Sequence, residues 1–409
     1  ACGRPAVFLC GDEREVQVLS ADLETLTGRR PVTLLGREWQ FRPGAVGSRD
    51  WERSRLAALY ALAQGDAPVV VATADGLMAR TLPPETLRSL AITLEVGGQA
   101  ELGALAEQLL SAGYTRCEQV EGVGQFALRG GILDVFSPLM DQPVRCEFFD
   151  DEIDSMGAFD PGTQRRTRNV SSARILPAAE VLPHCAPGGL PGLADQLTAL
   201  AEKLAKKQKT EAIVQTLRED AERLRSGAAP GAADRYLAAI YPTVTAGVHY
   251  LPPDAVVFLS ESGRVDERVK NTVLQQKQDV EALLSAGVLA GEYAHLTLTA
   301  EELYAALEDF PVILEDSLPT SRHPLRPRGL LTMNAKQLSS YGGSLETAVT
   351  DLEHYRSSGS AVLVLCGGET RAKNLHRLLE EKGIPATLDL SGAAMPAAGE
   401  VRLSLGALS

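Results

Sequence analysis

The run Pro143-Val-Arg-Cys-Glu-Phe-Phe149 alternates two kinds of side chain. In a strand, successive side chains point to opposite faces. Val144, Cys146 and Phe148 then form a core face, and Arg145, Glu147 and Phe149 share the other. A guanidinium beside an unshielded ring is the chemistry of recognition, not of bond breaking. The arginine offers forked, charge-assisted bonds to carboxylates, and the ring offers apolar area at the centre of an interface. Arg129 ends the run Gln125-Phe-Ala-Leu-Arg129. It is placed on the face opposite Phe126, Leu128 and Ile132, where antiparallel pairing sets it beside Arg145. Asp150-Asp151 begin a tight turn. Pattern alone leaves two readings open. One is a partner-binding patch; the other is a solvated Arg145–Glu147 pair worth ~0–1 kcal/mol, with Phe149 covered by a neighbouring domain.

Other chemistry is thinly represented. No G-x-x-x-x-G-K-[ST] loop occurs, and the dipeptide Gly-Lys is absent altogether. The standard cradle for the β- and γ-phosphates is therefore missing. Gly367-Gly368-Glu-Thr between a strand and a helix reads as an ordinary turn, with anion binding at the helix N-terminus the alternative. The strand from Ala255 runs into Ser260-Glu261-Ser262, so Glu261 is half of the acidic pair an ATPase wants there. The six histidines are scattered and no G-x-S-x-G elbow exists. The six cysteines, Cys2, Cys10, Cys117, Cys146, Cys185 and Cys366, form no C-x-x-C pair, so they read as packing residues with free thiols. Lys206-Lys207-Gln-Lys209 reads as a solvated helix face. No catalytic or metal-ligating residue is assigned.

The elements that carry these residues follow from composition and periodicity. At roughly 100–200 residues per domain, the 409-residue chain holds two to four domains. Its 44% hydrophobic and 23% charged residues are ordinary for a soluble globular protein. The net charge of −13 argues against a chain built to grip a phosphate backbone. No apolar run reaches the ~18–20 residues of a membrane helix. The thiol usage fits a reducing cytosol, so a cytoplasmic location is expected. The first residues include no Met and no secretory pattern, which suggests a segment cut from a longer chain.

Apolar runs at 5–10, 31–35, 67–73 and 255–260 read as buried strands of a parallel sheet, with helices predicted at 12–26, 49–64 and 265–286. After about residue 92 come a helix at 99–112 and then short strands, with Gly130-Gly131 taken as a bulge or kink. A Pro/Gly-dense connector at 178–193 precedes one long amphipathic helix at 194–226. Beyond a linker at Pro324–Pro327, residues 329–409 alternate strand and helix, beginning with a strand at 329–333. The fold class is thus α/β and multidomain.

Residues 113–165 carry a specific likeness. Gly113-Tyr-Thr-Arg-Cys-Glu-Gln-Val-Glu-Gly-Val-Gly-Gln-Phe-Ala-Leu-Arg-Gly-Gly-Ile-Leu-Asp-Val-Phe-Ser-Pro138, the run 143–155 and Phe159-Asp-Pro-Gly-Thr-Gln-Arg165 closely resemble the bacterial transcription-repair coupling factor family, in the module shared with UvrB. Weaker likeness covers Arg53–Leu62, Val69–Arg80 and Arg235–Leu259. The resemblance implies a degenerate helicase-like parallel-sheet domain at 1–91 and 178–318. A small α+β domain is inserted at 92–177, and a third domain of unassigned role follows at 319–409. It implies UvrA as the partner, bound by Arg129, Arg145 and Phe149, with Glu147 and Asp150 in support. It further implies a non-catalytic role in recruiting UvrA for transcription-coupled nucleotide excision repair. RNA polymerase, DNA, ATP and magnesium would be engaged by motor segments that this sequence lacks. A UvrB-type DNA clamp has no room in 36–51; Trp39, Phe41, Arg42 and Trp51 could stack on bases, but they read first as packing under a loop. The alternatives are a DNA-binding, helicase-type fragment and a structural module restraining the motor.

Overall fold

The computed structural model describes residues 3–42, 50–207, 210–318, 320–334, 345–391 and 395–406. Cys2, Lys209 and residues 43–49 lie outside them. The chain divides into two compact units, residues 1–12 with 32–324 and residues 13–31 with 325–409.

Among the described residues of the first unit, five strands form a parallel sheet. Their order is Val312–Glu315, Val256–Ser260, Ala6–Cys10, Val69–Thr73 and Val32–Leu34. Val7, Leu9, Val70, Val71, Val257 and Leu259 are buried, which is why these strands read as nearly unbroken apolar runs. Phe8 lies opposite Phe258 in the register and stacks on it at 4.8 Å.

From Ile92 to Ile175 the chain builds a second sheet. Its described strands run in the order Arg166–Asn169, Glu152–Phe159, Val144–Phe149, Ile132–Val135, Gln125–Arg129 and Thr115–Arg116. All neighbours are antiparallel except the last pair. One face is the core. Phe126, Leu133, Val135, Val144, Cys146, Ile153 and Met156 pack there with Leu105 and Leu109 of helix Leu102–Ser111. Glu101 caps that helix by accepting from the backbone N–H of Gly103 and Ala104, each at 2.8 Å. Gly130 (φ 57°) and Gly131 make the two-residue turn of a hairpin, with Arg129 opposite Ile132, and not a bulge within one strand.

A buried ionic cluster fixes this module where it rejoins the parallel-sheet domain. The carboxylate of Glu180, fully buried, sits 3.0 Å from Arg55 Nε and 3.4 Å from Arg37 Nη1, and accepts from Thr81 Oγ1 at 2.6 Å. Arg37 also meets Asp234 at 2.6 Å. Burial alone would raise the Glu180 pKa, but the charges of Arg55 and Arg37 outweigh it and hold the carboxyl below its ordinary value. Helix Asp50–Gln64 adds two further ties. Arg53 donates to the carbonyls of Pro138 (2.7 Å) and Met140, and the Tyr60 hydroxyl accepts from Arg174.

Several expectations need correction. The single helix at 194–226 is a pair, Gly189–Leu204 and Glu211–Arg225, packed antiparallel so that Arg225 reaches Asp195 at 3.1 Å. Lys206 and Lys207 sit in the connection and not on a helix face. Residues 329–333 form no strand; Leu330, Leu331 and Met333 are exposed. The packing reading of Trp39, by contrast, agrees with its contacts: it stacks on Phe41 at 6.1 Å, with the Arg37 guanidinium 4.4 Å from its ring.

In the second unit, strands Val362–Cys366, Val401–Leu405 and Thr387–Asp389 form a parallel sheet in that order. Helices Glu13–Thr27, Leu345–Ser357 and Glu369–Glu381 belong to the same unit. Its core is built from Val349, Leu352, Leu379, Ile384, Val401 and Leu403. Among the described residues of the whole chain, Cys10, Cys117, Cys146, Cys185 and Cys366 form no disulfide. No described helix is long and apolar enough to cross a membrane, and no group of three His, Cys, Asp or Glu among the described residues could hold a metal ion.

Candidate partner-binding face

The second face of the module's sheet is organised in rows set by the strand register. One row reads Ala127–Asp134–Arg145–Gly157, and the next Arg129–Ile132–Glu147–Ser155. Residues directly opposite one another share a face. Ile132 therefore belongs beside Arg129 and Glu147, and not on the opposite face expected for it. Phe149 pairs with Glu152 beyond these rows, at the end of the hairpin. The register shifts by one residue between Glu147 and Phe148, and the additional residue sits in the partner strand. Alternation along 144–149 is thus kept: Phe148 packs on the core, and Phe149 points out with 76% of its surface exposed. It is the most exposed large apolar side chain among the described residues 92–180.

Strand Ile132–Val135 lies between the two arginine-bearing strands, so Arg129 and Arg145 are not direct cross-strand neighbours. What joins them is Asp134, whose side chain is 1% exposed. Arg129 Nη2 donates to Asp134 Oδ2 at 2.7 Å; Arg145 grips the same carboxylate with Nε on Oδ1 at 2.7 Å and Nη2 on Oδ2 at 2.8 Å. The latter is the bidentate fork that fits a carboxylate. The Arg145 guanidinium also lies 4.7 Å from the Phe159 ring. Its hydrogen bond to Asp134 raises the Arg145 pKa further and keeps it charged. The Arg129 and Arg145 side chains remain 49% and 22% exposed, and Arg145 also donates from Nη1 to the Gln164 carbonyl at 3.5 Å and from Nη2 to Gln164 Oε1 at 3.4 Å.

Asp134 was not among the sequence candidates. Its signal was present: one carboxylate amid Ile-Leu-Asp-Val, on the strand between two arginine-bearing runs. A supporting residue such as Glu147 could fix the arginines or tune partner choice at the rim. Its Oε2 instead accepts from Ser155 Oγ at 2.7 Å, and Asp134 supplies the contact to both guanidiniums. Asp150 takes the left-handed conformation (φ 51°) in the two-residue turn after Phe149, a backbone state that Asp tolerates better than bulkier residues. The hairpin end is held by main chain. Ala100 N donates to Asp151 O and Gly97 N to Ile153 O, each at 2.8 Å, and Ile153 N donates to Gly98 O at 2.9 Å. Beneath the face, Cys146 is buried on the core side. Burial, with a lesser push from the Asp134 charge, raises its thiol pKa to about 12.

This arrangement presents cations and a ring on one face of the sheet. It can bind a surface that brings carboxylates to the arginines and an apolar recess to Phe149.

Residues 92–180 match the UvrB interaction domain family. Nearly the whole chain is similar to proteins named transcription-repair-coupling factor. That of Bacillus subtilis (strain 168) is 26% identical over 396 residues, covering 96% of this chain and 33% of the relative. That of Myxococcus xanthus is 29% identical over 403 residues, covering 93% and 33%. That of Staphylococcus aureus (strain USA300) is 25% identical over 346 residues, covering 82% and 28%. The chain spans about a third of the length of these relatives. The arginine-and-phenylalanine face thus lies inside the stretch that matches the UvrB interaction domain, within a chain similar over nearly all of its length to transcription-repair-coupling factors.

Proposed function

We propose that the chain is a docking module that recruits UvrA in transcription-coupled nucleotide excision repair and performs no chemistry itself. Arg129 and Arg145 form charge-assisted bonds to carboxylates of UvrA, and Phe149 fills an apolar recess between them. The observation that carries this reading is the exposed Phe149 on the face where two arginines share one buried carboxylate, within a UvrB interaction domain. A ring exposed to this degree in an ordered strand is the expected form of an interface anchor. Pre-bonding by Asp134 supports the same reading, because it orders both guanidiniums before the partner arrives and lowers the entropy lost on binding. Asp150 supports it by ending the strand directly after the anchor. The parent protein would act as an ATP-dependent DNA translocase on stalled RNA polymerase, with ATP, magnesium, DNA and polymerase held by segments outside this sequence.

The test is titration of UvrA against the chain and against Arg129→Ala, Arg145→Ala, Phe149→Ala and the triple variant. The triple variant is expected to bind at least about a hundredfold more weakly. Unchanged affinity of a folded triple variant rejects the reading.

A further inference from the structure

The docking face carries a third cation that sequence spacing did not reveal. Arg166 lies opposite Phe159 on the adjoining edge strand, and its side chain runs back across Gly157. Its guanidinium donates to the Met156 carbonyl, and Nη1 reaches Ser155 Oγ at 3.4 Å. Ser155 in turn donates to Glu147. Gly157 faces Arg145 directly in the register. A Cβ at position 157 would lie 1.9 Å from Arg166 Nε, so only glycine leaves the channel in which this side chain lies. The result is a stripe across one sheet face: Arg129 and Arg145 on Asp134, then Arg166 linked through Ser155 to Glu147.

We infer that Arg166 is a third partner-contacting residue of this face, seated by Gly157, and that the matching surface on UvrA carries a run of carboxylates. The inference rests on the docking reading above and extends it. Local charge supports it. Residues 161–179 hold four arginines and no Asp or Glu, in a chain whose net charge is −13. Arg166 is exposed while its inner donors are held by Met156 and Ser155, as Arg129 is half exposed and held by Asp134. Arginines on an edge strand can also serve only to block edge-to-edge pairing. That role needs charge alone and gives Gly157 no part in binding.

The experiment measures UvrA affinity and its salt dependence for Arg166→Ala, Gly157→Ala, the double variant and Arg145→Ala, with urea unfolding of each variant to confirm folding. Arg166→Gln stands in if Arg166→Ala does not fold. Arg166→Ala is expected to weaken binding about five- to twentyfold and to flatten the salt dependence, as for charges at an interface rim. Gly157→Ala should reproduce that loss, and the double variant should be no worse than either single change. Arg166→Ala binding within twofold of the parent, while Arg145→Ala fails, overturns this inference and leaves the docking reading standing. If both bind like the parent, the docking reading falls and this inference with it. A Gly157→Ala loss that adds to that of Arg166→Ala overturns the seating role of Gly157.

Discussion

Two ionic clusters in the first unit use the same ingredients and differ in access to water. Around Glu180, arginines and carboxylates are sealed: Arg37 and Glu180 side chains are 1% and 0% exposed. Around Asp134 only the carboxylate is sealed, and the two arginines that reach it stay partly open. A fully buried cluster lies out of a partner's reach. It ties together Arg37, Arg55 and Thr81 from one part of the chain and Glu180 and Asp234 from another. A cluster with a buried centre and open rim orders its cations without spending them. Exposure, not residue type, separates the two clusters.

Breaking the sealed cluster should give the largest effect. Glu180→Ala leaves Arg37 and Arg55 short of a buried counter-charge and is expected to cost about 3–5 kcal/mol of stability, read as a lower urea midpoint. If the midpoint holds, the cluster is not what fixes the module. Phe149→Ala should show the reverse pattern: about 2 kcal/mol of UvrA binding lost, with unfolding unchanged because the ring is already in water. A stability loss comparable to the binding loss would place Phe149 in the core. Asp134→Asn should fall between the two in character, costing about 1–2 kcal/mol of stability and loosening both arginines, so that affinity falls as well.

The pH dependence sharpens the contrast. The folded pKa of Glu180 lies below its ordinary value of 4.5. Its contribution to stability is therefore fully present above about 4.5 and is lost as pH falls through the depressed folded value. Acid titration of unfolding should show this loss, and Glu180→Gln should flatten that part of the profile. The smallest effect concerns Cys146. With its pKa near 12 and its side chain buried, it should resist thiol alkylation at about pH 8 in the native state. Labelling there as fast as a free thiol would show that the sheet opens.

The sequence carried the strands of this face well, because alternation at 144–149 and the apolar runs of the parallel sheet are local signals. Arg145 and Phe149 fell on the open face as alternation required. What it did not carry was anything set by register between strands. A kink at Gly130-Gly131 within one strand would put Ile132 on the face opposite Arg129; the hairpin turn they form makes Arg129 oppose Ile132 instead. Asp134 and Arg166 were missed for the same reason: their neighbours are one or two strands away. The long helix was overrun because residues on both sides of 205–207 keep a helical period. The run at 329–333 has strand-like residues, but no neighbouring strand pairs with it among those described.

The main-chain bonds from residues 97–100 to 151–153 have a thermodynamic consequence. They fix the backbone beneath Phe149 before any encounter, so association need not fold a loop at the moment of contact. Calorimetry of the complex should then show a heat-capacity change set by the apolar area the ring covers, without the larger signature of a segment that orders as it binds.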